Sequence, residues 1–212
     1  MSNKRLVACT STGCIEYAPE RYRKYDIDFI RVHILFEGKE YIEGLDFDAE
    51  GFYKKLETLE DPKNNLPRTA MPTIEELHAF FKSVIDRGYD EVLIIAISSA
   101  LGGTYNLIRL VSKEYEDKLK INVIDSKITC FGEGLLAIKA AELFEKGVPT
   151  ETVLKEIEIN VGNRLIGFNI NGYTFISRLL EGDFVNYQKT LPADFKQRVV
   201  VNTRDLINTI ER

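Results

Sequence analysis

The sequence predicts an α/β protein, a parallel sheet flanked by helices, with a small, shortened C-terminal α+β appendage. Three observations carry this reading. Lys4–Cys9, Glu91–Ile97 and Lys120–Ile124 are short apolar runs rich in Val and Ile, the pattern of strands buried on both faces. Each run stops at hydroxyls, glycines or an Asp-Ser pair and hands over to a segment of helical periodicity, which is the βαβ alternation with right-handed crossovers. From about Asn163 the pattern changes to short elements, too few to close an independent core. Residues 1–160 are therefore assigned to the main α/β domain and 161–212 to a truncated second domain or appendage.

In chain order, Lys4–Cys9 is the first strand and Thr10-Ser-Thr-Gly13 is the polar turn leaving its carboxyl end. Pro19–Tyr25 reads as a short helix with proline in its first turn. Asp28–Phe36 reads as one strand, Glu37-Gly38 as a hairpin turn, and Lys39–Ile42 as the return. Asp48 is placed to cap a helix running to about Leu59. Residues 60–73 have the composition of a loop, stiffened by prolines. That loop ends in Thr73-Ile-Glu-Glu76, a capping box opening a helix with Ile74, Leu77, Phe80, Phe81 and Ile85 on one face.

Beyond the central strand, Thr104 to about Tyr115 is helical. Thr129–Lys146 is a long helix closed by Gly147, and Thr150 is positioned to cap a helix to about Val161. The appendage reads as a strand at Leu165–Ile170, a short helix at Tyr173–Leu180, strands at Phe184–Tyr187 and Val199–Val201, and a last helix from Thr203.

Charge and composition remove several function classes. A net charge of −5 with a pI near 5.3 supplies no clustered cations for a phosphate backbone, so no nucleic-acid partner is expected. No apolar run approaches the roughly 20 residues that span a bilayer, so no membrane insertion and a cytoplasmic location are expected. Cys9, Cys14 and Cys130 lack any Cys-x-x-Cys spacing, and His33 and His78 lack neighbouring ligands, so neither a metal site nor a disulfide framework is expected. Phosphate-loop and nucleophile-elbow motifs are absent, and no cofactor is expected.

The chemistry gathers at Ser98, Ser99, Gly102, Gly103 and Thr104, where the central strand hands over to a helix. Ligands of open α/β sheets sit at the carboxyl ends of the strands, and the bare amides of a helix N-terminus attract an anionic head group. Thr10 begins a second polar turn at the same edge. Pro67–Thr73 is an extended segment suited to lie across a pocket.

These residues resemble the DegV family of bacterial fatty-acid-binding proteins. Pro67-Arg-Thr-Ala-Met-Pro-Thr73 is similar to the family's P-K-T-S-Q-P-S, Ser98-Ser-Ala-Leu-Gly-Gly-Thr-Tyr105 to S-S-x-L-S-G-T-Y, and Val123-Ile-Asp-Ser126 to V-I-D-S. Thr10-Ser-Thr12 matches D-S-T except at its first residue. The resemblance implies a protein that buries one acyl chain and offers the carboxylate to a partner fatty acid kinase. It places the head group on Thr69, which is kept, and on a serine whose position is here Gly102. It also puts Ala70 where the family has serine and Thr10 where it has aspartate. Arg178 is a further candidate to approach the head group.

The ligand-binding candidates are thus Thr69, Gly102, Gly103, Ser98, Ser99, Thr10 and Arg178, with no catalytic residue. Two other functions compete. One is a shortened paralogue with a regulatory or interaction role and no ligand. The other is a small-molecule enzyme using Cys14 or Ser99, against which stands the want of a neighbouring general base. The bland alternatives are a tight strand-to-helix connection at 98–103, a loop hydroxyl at Thr69 and a solvated cation at Arg178.

Overall fold

The computed structural model describes residues 4–46, 49–59, 65–157, 160–161, 165–170 and 173–178. The chain order is β1 (Arg5–Thr10), β2 (Ile27–Ile30), β3 (His33–Phe36), β4 (Lys39–Ile42), α1 (Ala49–Glu57), β5 (Arg68–Ala70) and α2 (Ile74–Asp86), then β6 (Glu91–Ala96), α3 (Thr104–Ser112), β7 (Lys120–Asp125), α4 (Phe131–Glu145) and α5 (Thr150–Glu156). The last described strands are β8 (Asn160–Val161), β9 (Leu165–Ile170) and β10 (Tyr173–Arg178).

Strands β2, β1, β6 and β7 form one parallel sheet in that order. Helices cover both faces, as the uninterrupted apolar runs require. Alternate side chains of a strand point to opposite faces. Val7, Cys9, Leu93 and Ile95 accordingly pack against Leu136, Ala137, Ala140 and Ala141 of α4. Leu6, Ala8, Val92 and Ile94 pack against Leu77, Phe81 and Val84 of α2 and Ile108 and Val111 of α3. Each fully buried Leu, Ile or Phe contributes about 1.5–3 kcal/mol, so these two layers supply most of the driving force.

A buried acidic side chain sits in this frame. The Glu91 carboxylate accepts from Thr150 Oγ1 at 2.9 Å and Asn122 Nδ2 at 3.0 Å, with Lys120 Nζ at 3.1 Å. Thr150 is therefore not a cap. Pro149 holds that position, and the Thr150 hydroxyl turns inward to the carboxylate.

Several local readings change for tertiary reasons. Asp28–Phe36 is two strands, because the chain leaves the main sheet at Arg31-Val32 and β3 joins β4 and β5 in a small antiparallel sheet of order β4-β3-β5. Arg31 fixes that exit by a bidentate pair with Glu16 and a bond to the Glu43 carbonyl, and Val32 N donates to Ser11 Oγ at 3.0 Å. The Pro19–Tyr25 segment closes only a single 3-10 turn at Glu20–Tyr22. Helix α5 stops at Glu156.

Tyr173–Arg178 is a strand, β10, paired antiparallel along its whole length with β9. Its aromatic and β-branched residues suit a pleated surface, and the neighbouring strand satisfies its backbone. β9 pairs in turn with β8. Asp48, Phe184–Tyr187, Val199–Val201 and the helix from Thr203 lie outside the described residues. The capping box is present as read, with Glu76 N donating to Thr73 Oγ1 and Thr73 N to Glu76 Oε2. Among the described residues no helix is long and apolar enough to cross a membrane.

Candidate functional site

The parallel sheet brings the ends of β1, β6 and β7 to one edge, and the polar turns that leave them meet there. After β6, Ser98 and Ser99 are held by their neighbours. Ala100 N donates to Ser98 Oγ, while Ser99 N and Oγ both donate to Asp125 at the end of β7. Burial alone would raise the Asp125 carboxyl, but the donors from Lys127 and Ser99 outweigh it and hold the group below the usual carboxylate range. Asp125 thus stays an ion that braces the turn. Because the Ser99 proton is spent on a poor base, Ser99 is not an activated nucleophile.

The next residues are open. Gly102 has no heavy atom within 4 Å of where a Cβ would stand, and its φ is outside the left-handed region. Neither the Gly102 nor the Gly103 N–H has a hydrogen-bond partner among the described residues. Gly103 is the N-cap of α3 and Gly102 precedes it, so both stand at the orphan-donor end of that helix, where its dipole favours negative charge. The proline-stiffened segment reaches the same turn, since a Cβ on Gly103 would stand 2.6 Å from Met71 Sδ. Two residues before Met71, Thr69 is exposed on β5 opposite Ile34, and its hydroxyl is unbonded among the described residues. Leu101 beside the turn is 63% exposed and Met71 46%, which leaves apolar surface next to the bare donors.

Thr10 lies behind this edge. It is fully buried, and its hydroxyl accepts from Ile97 N at 3.1 Å, one residue before Ser98. The same hydroxyl donates to Glu133 Oε1 and contacts Thr12 Oγ1 at 2.8 Å. Thr12 Oγ1 lies 2.9 Å from Glu133 Oε2, and the Cys9 thiol donates to Oε1 at 3.4 Å. Glu133, in the first turn of α4, is wholly shielded from solvent. Burial pushes its carboxyl up to about 7, against the pull of the Thr10, Thr12 and Cys9 donors, with Glu43 adding to the rise.

The sequence reading missed Glu133. Its only local signal was a carboxylate between Gly132 and Gly134. Gly134 is what lets α4 come so close, because a Cβ there would run into the Gly13 carbonyl oxygen and stand 2.8 Å from Ile15 Cγ1.

Cys14 lies beside this cluster, with its thiol on the Thr12 carbonyl at 3.3 Å and next to Cys130. Burial first, then Cys130, Glu43 and Glu133, push the thiol up to about 11, so almost none is thiolate at neutral pH. Arg178 ends β10, and its side chain lies outside the described residues. No group of three or more metal-ligating side chains gathers among the described residues.

Comparison with known proteins places the chain among relatives of the same fold. The pattern of the DegV family, described as a family of uncharacterised proteins, matches residues 7–167. The DegV protein of Bacillus subtilis is 31% identical over 149 residues, covering 69% of this chain and 51% of that protein. A Thermotoga maritima protein described as a fatty acid-binding protein is 31% identical over 143 residues, covering 66% of this chain and 48% of that protein.

Among solved structures, Bacillus subtilis DegV, described as a fatty acid binding protein, superposes with a TM-score of 0.64 at 30% identity, over 74% of this chain and 53% of that one. A DegV lipid binding protein of Thermotoga maritima gives a TM-score of 0.63 at 27% identity, over 82% and 70%. The chain spans about half the length of the curated relatives it matches. With that family pattern covering both β1 and β7 and the turns between them, the chain belongs to the DegV family.

Proposed function

We propose that this chain binds a long-chain fatty acid, holding the carboxylate at the edge where β1, β6 and β7 end. One observation carries the reading: the free Thr69 hydroxyl and the unpaired Gly102 and Gly103 amides at the start of α3 are bare donors beside exposed apolar side chains. A buried carboxylate needs its lone pairs filled, and such donors fill them. Relatives described as fatty-acid-binding or lipid-binding are 27–31% identical over the matched residues, and those with solved structures share the fold.

Within this reading Thr69, Gly102 and Gly103 touch the head group, Ser98 and Ser99 shape the turn, Thr10 supports it from behind, and Arg178 is a cationic contact. Residues 1–160 form the binding domain and 161–212 belong to a second part. The protein works by binding and does no chemistry, because Ser99 and Cys14 both lack an activating base. It acts in the cytoplasm, and a fatty acid kinase that phosphorylates the presented carboxylate is the partner.

Native mass spectrometry of protein purified from bacteria tests the core of this reading, followed by calorimetry of fatty acids on the delipidated protein. An added mass of fatty-acid size and saturable binding support it. A folded protein that carries no such mass and binds none of the acids refutes it in favour of a ligand-free interaction role.

A further inference from the structure

The oxygens around Glu133 do not balance when it is charged. Thr10 Oγ1, Thr12 Oγ1 and the two carboxylate oxygens make three oxygen–oxygen contacts: Thr10 to Glu133, Thr12 to Glu133 and Thr10 to Thr12. The lone pairs of Thr10 also receive Ile97 N–H. An ionised Glu133 accepts only, so the two threonine protons serve two contacts and the third has none. A neutral Glu133 brings a third proton. It donates from Oε2 to Thr12, Thr10 donates to Oε1, and the Thr12 proton is left free to bond Thr10 or to turn outward. Of the three residues, only Thr12 is partly exposed.

We propose that Thr12 is a proton-gated donor to an anionic head group at the β1/β6 edge, switched on when Glu133 is neutral and off when it is charged. The proposal rests on the fatty-acid reading above and adds a binding residue and a gate to it. In the neutral state the Thr12 hydroxyl gives the site a donor in addition to Thr69 and the glycine amides, on a chain whose Gly102 lacks a hydroxyl. In the ionised state Glu133 holds both threonine protons, and its charge opposes a second anion in a poorly screened place.

The surroundings keep the gate near its switching point. Cys9 and Thr10 face Glu133 from β1, Thr12 faces it from the following turn, and Glu43 stands beyond Ser11, whose hydroxyl donates to it at 2.6 Å. Cys14 and Cys130 lie alongside as thiols. Arg31, near Glu43, is taken up by Glu16. With the carboxyl at about 7, roughly nine-tenths is neutral at pH 6 and roughly one-tenth at pH 8. Apparent affinity scales with the competent fraction, so binding weakens by up to about tenfold across that interval, the limit being reached when the ionised state does not bind.

The test is calorimetric titration of delipidated protein with hexadecanoate at pH 6 and pH 8, on wild type, Glu133→Gln, Thr12→Val and Thr12→Ser, with thermal melts showing that each is folded. The Gln amide stays neutral and donates throughout, so dividing by Glu133→Gln removes the ligand's own titration. The proposal expects wild type to weaken severalfold, up to about tenfold, relative to Glu133→Gln from pH 6 to pH 8. It expects Thr12→Val to lose affinity chiefly at pH 6, and Thr12→Ser to behave as wild type. A shared pH profile for wild type and Glu133→Gln, or unchanged affinity in Thr12→Val at pH 6, overturns the gate while leaving fatty-acid binding in place. Folded proteins that bind no hexadecanoate at either pH remove the head-group site and the gate together.

Discussion

Replacing Glu133 by Gln should make the protein more stable, and increasingly so as pH rises. The native carboxyl is moved from 4.5 to about 7, chiefly by burial. Between those values the unfolded chain has released its proton while the native chain keeps it. The native state therefore binds more protons, and wild-type stability falls as pH rises through this window. At about 1.36 kcal/mol per pH unit the loss reaches about 3 kcal/mol above pH 7, and the acid limb below 4.5 is free of it.

Glutamine keeps the shape, donates from its amide nitrogen to Thr12 and accepts from Thr10, so the network survives without a charge to bury. The expected result is near-equality at pH 4 and an advantage of about 3 kcal/mol for Glu133→Gln at pH 8, or roughly 6–12 °C in Tm for a chain of this size. Urea unfolding followed by circular dichroism from pH 4 to pH 8.5 measures both curves. A difference that stays constant with pH would show that the three donors cancel the cost of burial, and wild type gaining on the variant as pH rises would show that they outweigh it; either result refutes the reasoning.

Three further outcomes follow from other parts of the molecule. Gly102→Ser has open space for its side chain and no positive φ to strain, so it should fold and tighten fatty-acid binding by about 1.5–3 kcal/mol, while Thr69→Ala weakens it similarly; equal calorimetric affinities in all three proteins would place the head group elsewhere. Gly134→Ala should destabilise by about 1–3 kcal/mol, despite alanine's better helix propensity, because its methyl meets the Gly13 backbone; an unchanged urea midpoint would contradict the close docking of α4. Thr150→Val removes a buried donor from the Glu91 carboxylate and should cost about 1.5–3 kcal/mol at pH 7. Were Thr150 only a helix-capping residue, the loss would track α5 helicity and leave Glu91→Gln additive with it in a double-mutant cycle.

Three of the four strands of the parallel sheet were legible in the chain alone. Strands covered on both faces read as apolar runs, so Lys4–Cys9 and Glu91–Ile97 announced themselves, and Lys120–Ile124 showed the same pattern although β7 is the half-buried edge strand of the sheet. Capping chemistry is equally local, and Thr73 to Glu76 is built as its spacing says. The polar turns were legible too, because glycines and hydroxyls after a buried strand have few other uses.

Tertiary structure decided what those groups touch. Tyr173–Arg178 became a strand because β9 offered its backbone a partner. Asp28–Phe36 broke in two because Arg31 met Glu16 and Ser11 met Val32. Thr150 left its cap for a carboxylate 59 residues away. Glu133 shows the limit most clearly: it sits 123 residues from Thr10, and between two glycines it reads as one more polar helix residue. Periodicity reports which face of a helix is apolar, but not which residue of a distant strand the first turn will meet. That pairing was settled by the bare backbones of Gly13 and Gly134, whose contact places a carboxyl where water cannot reach it and three donors can.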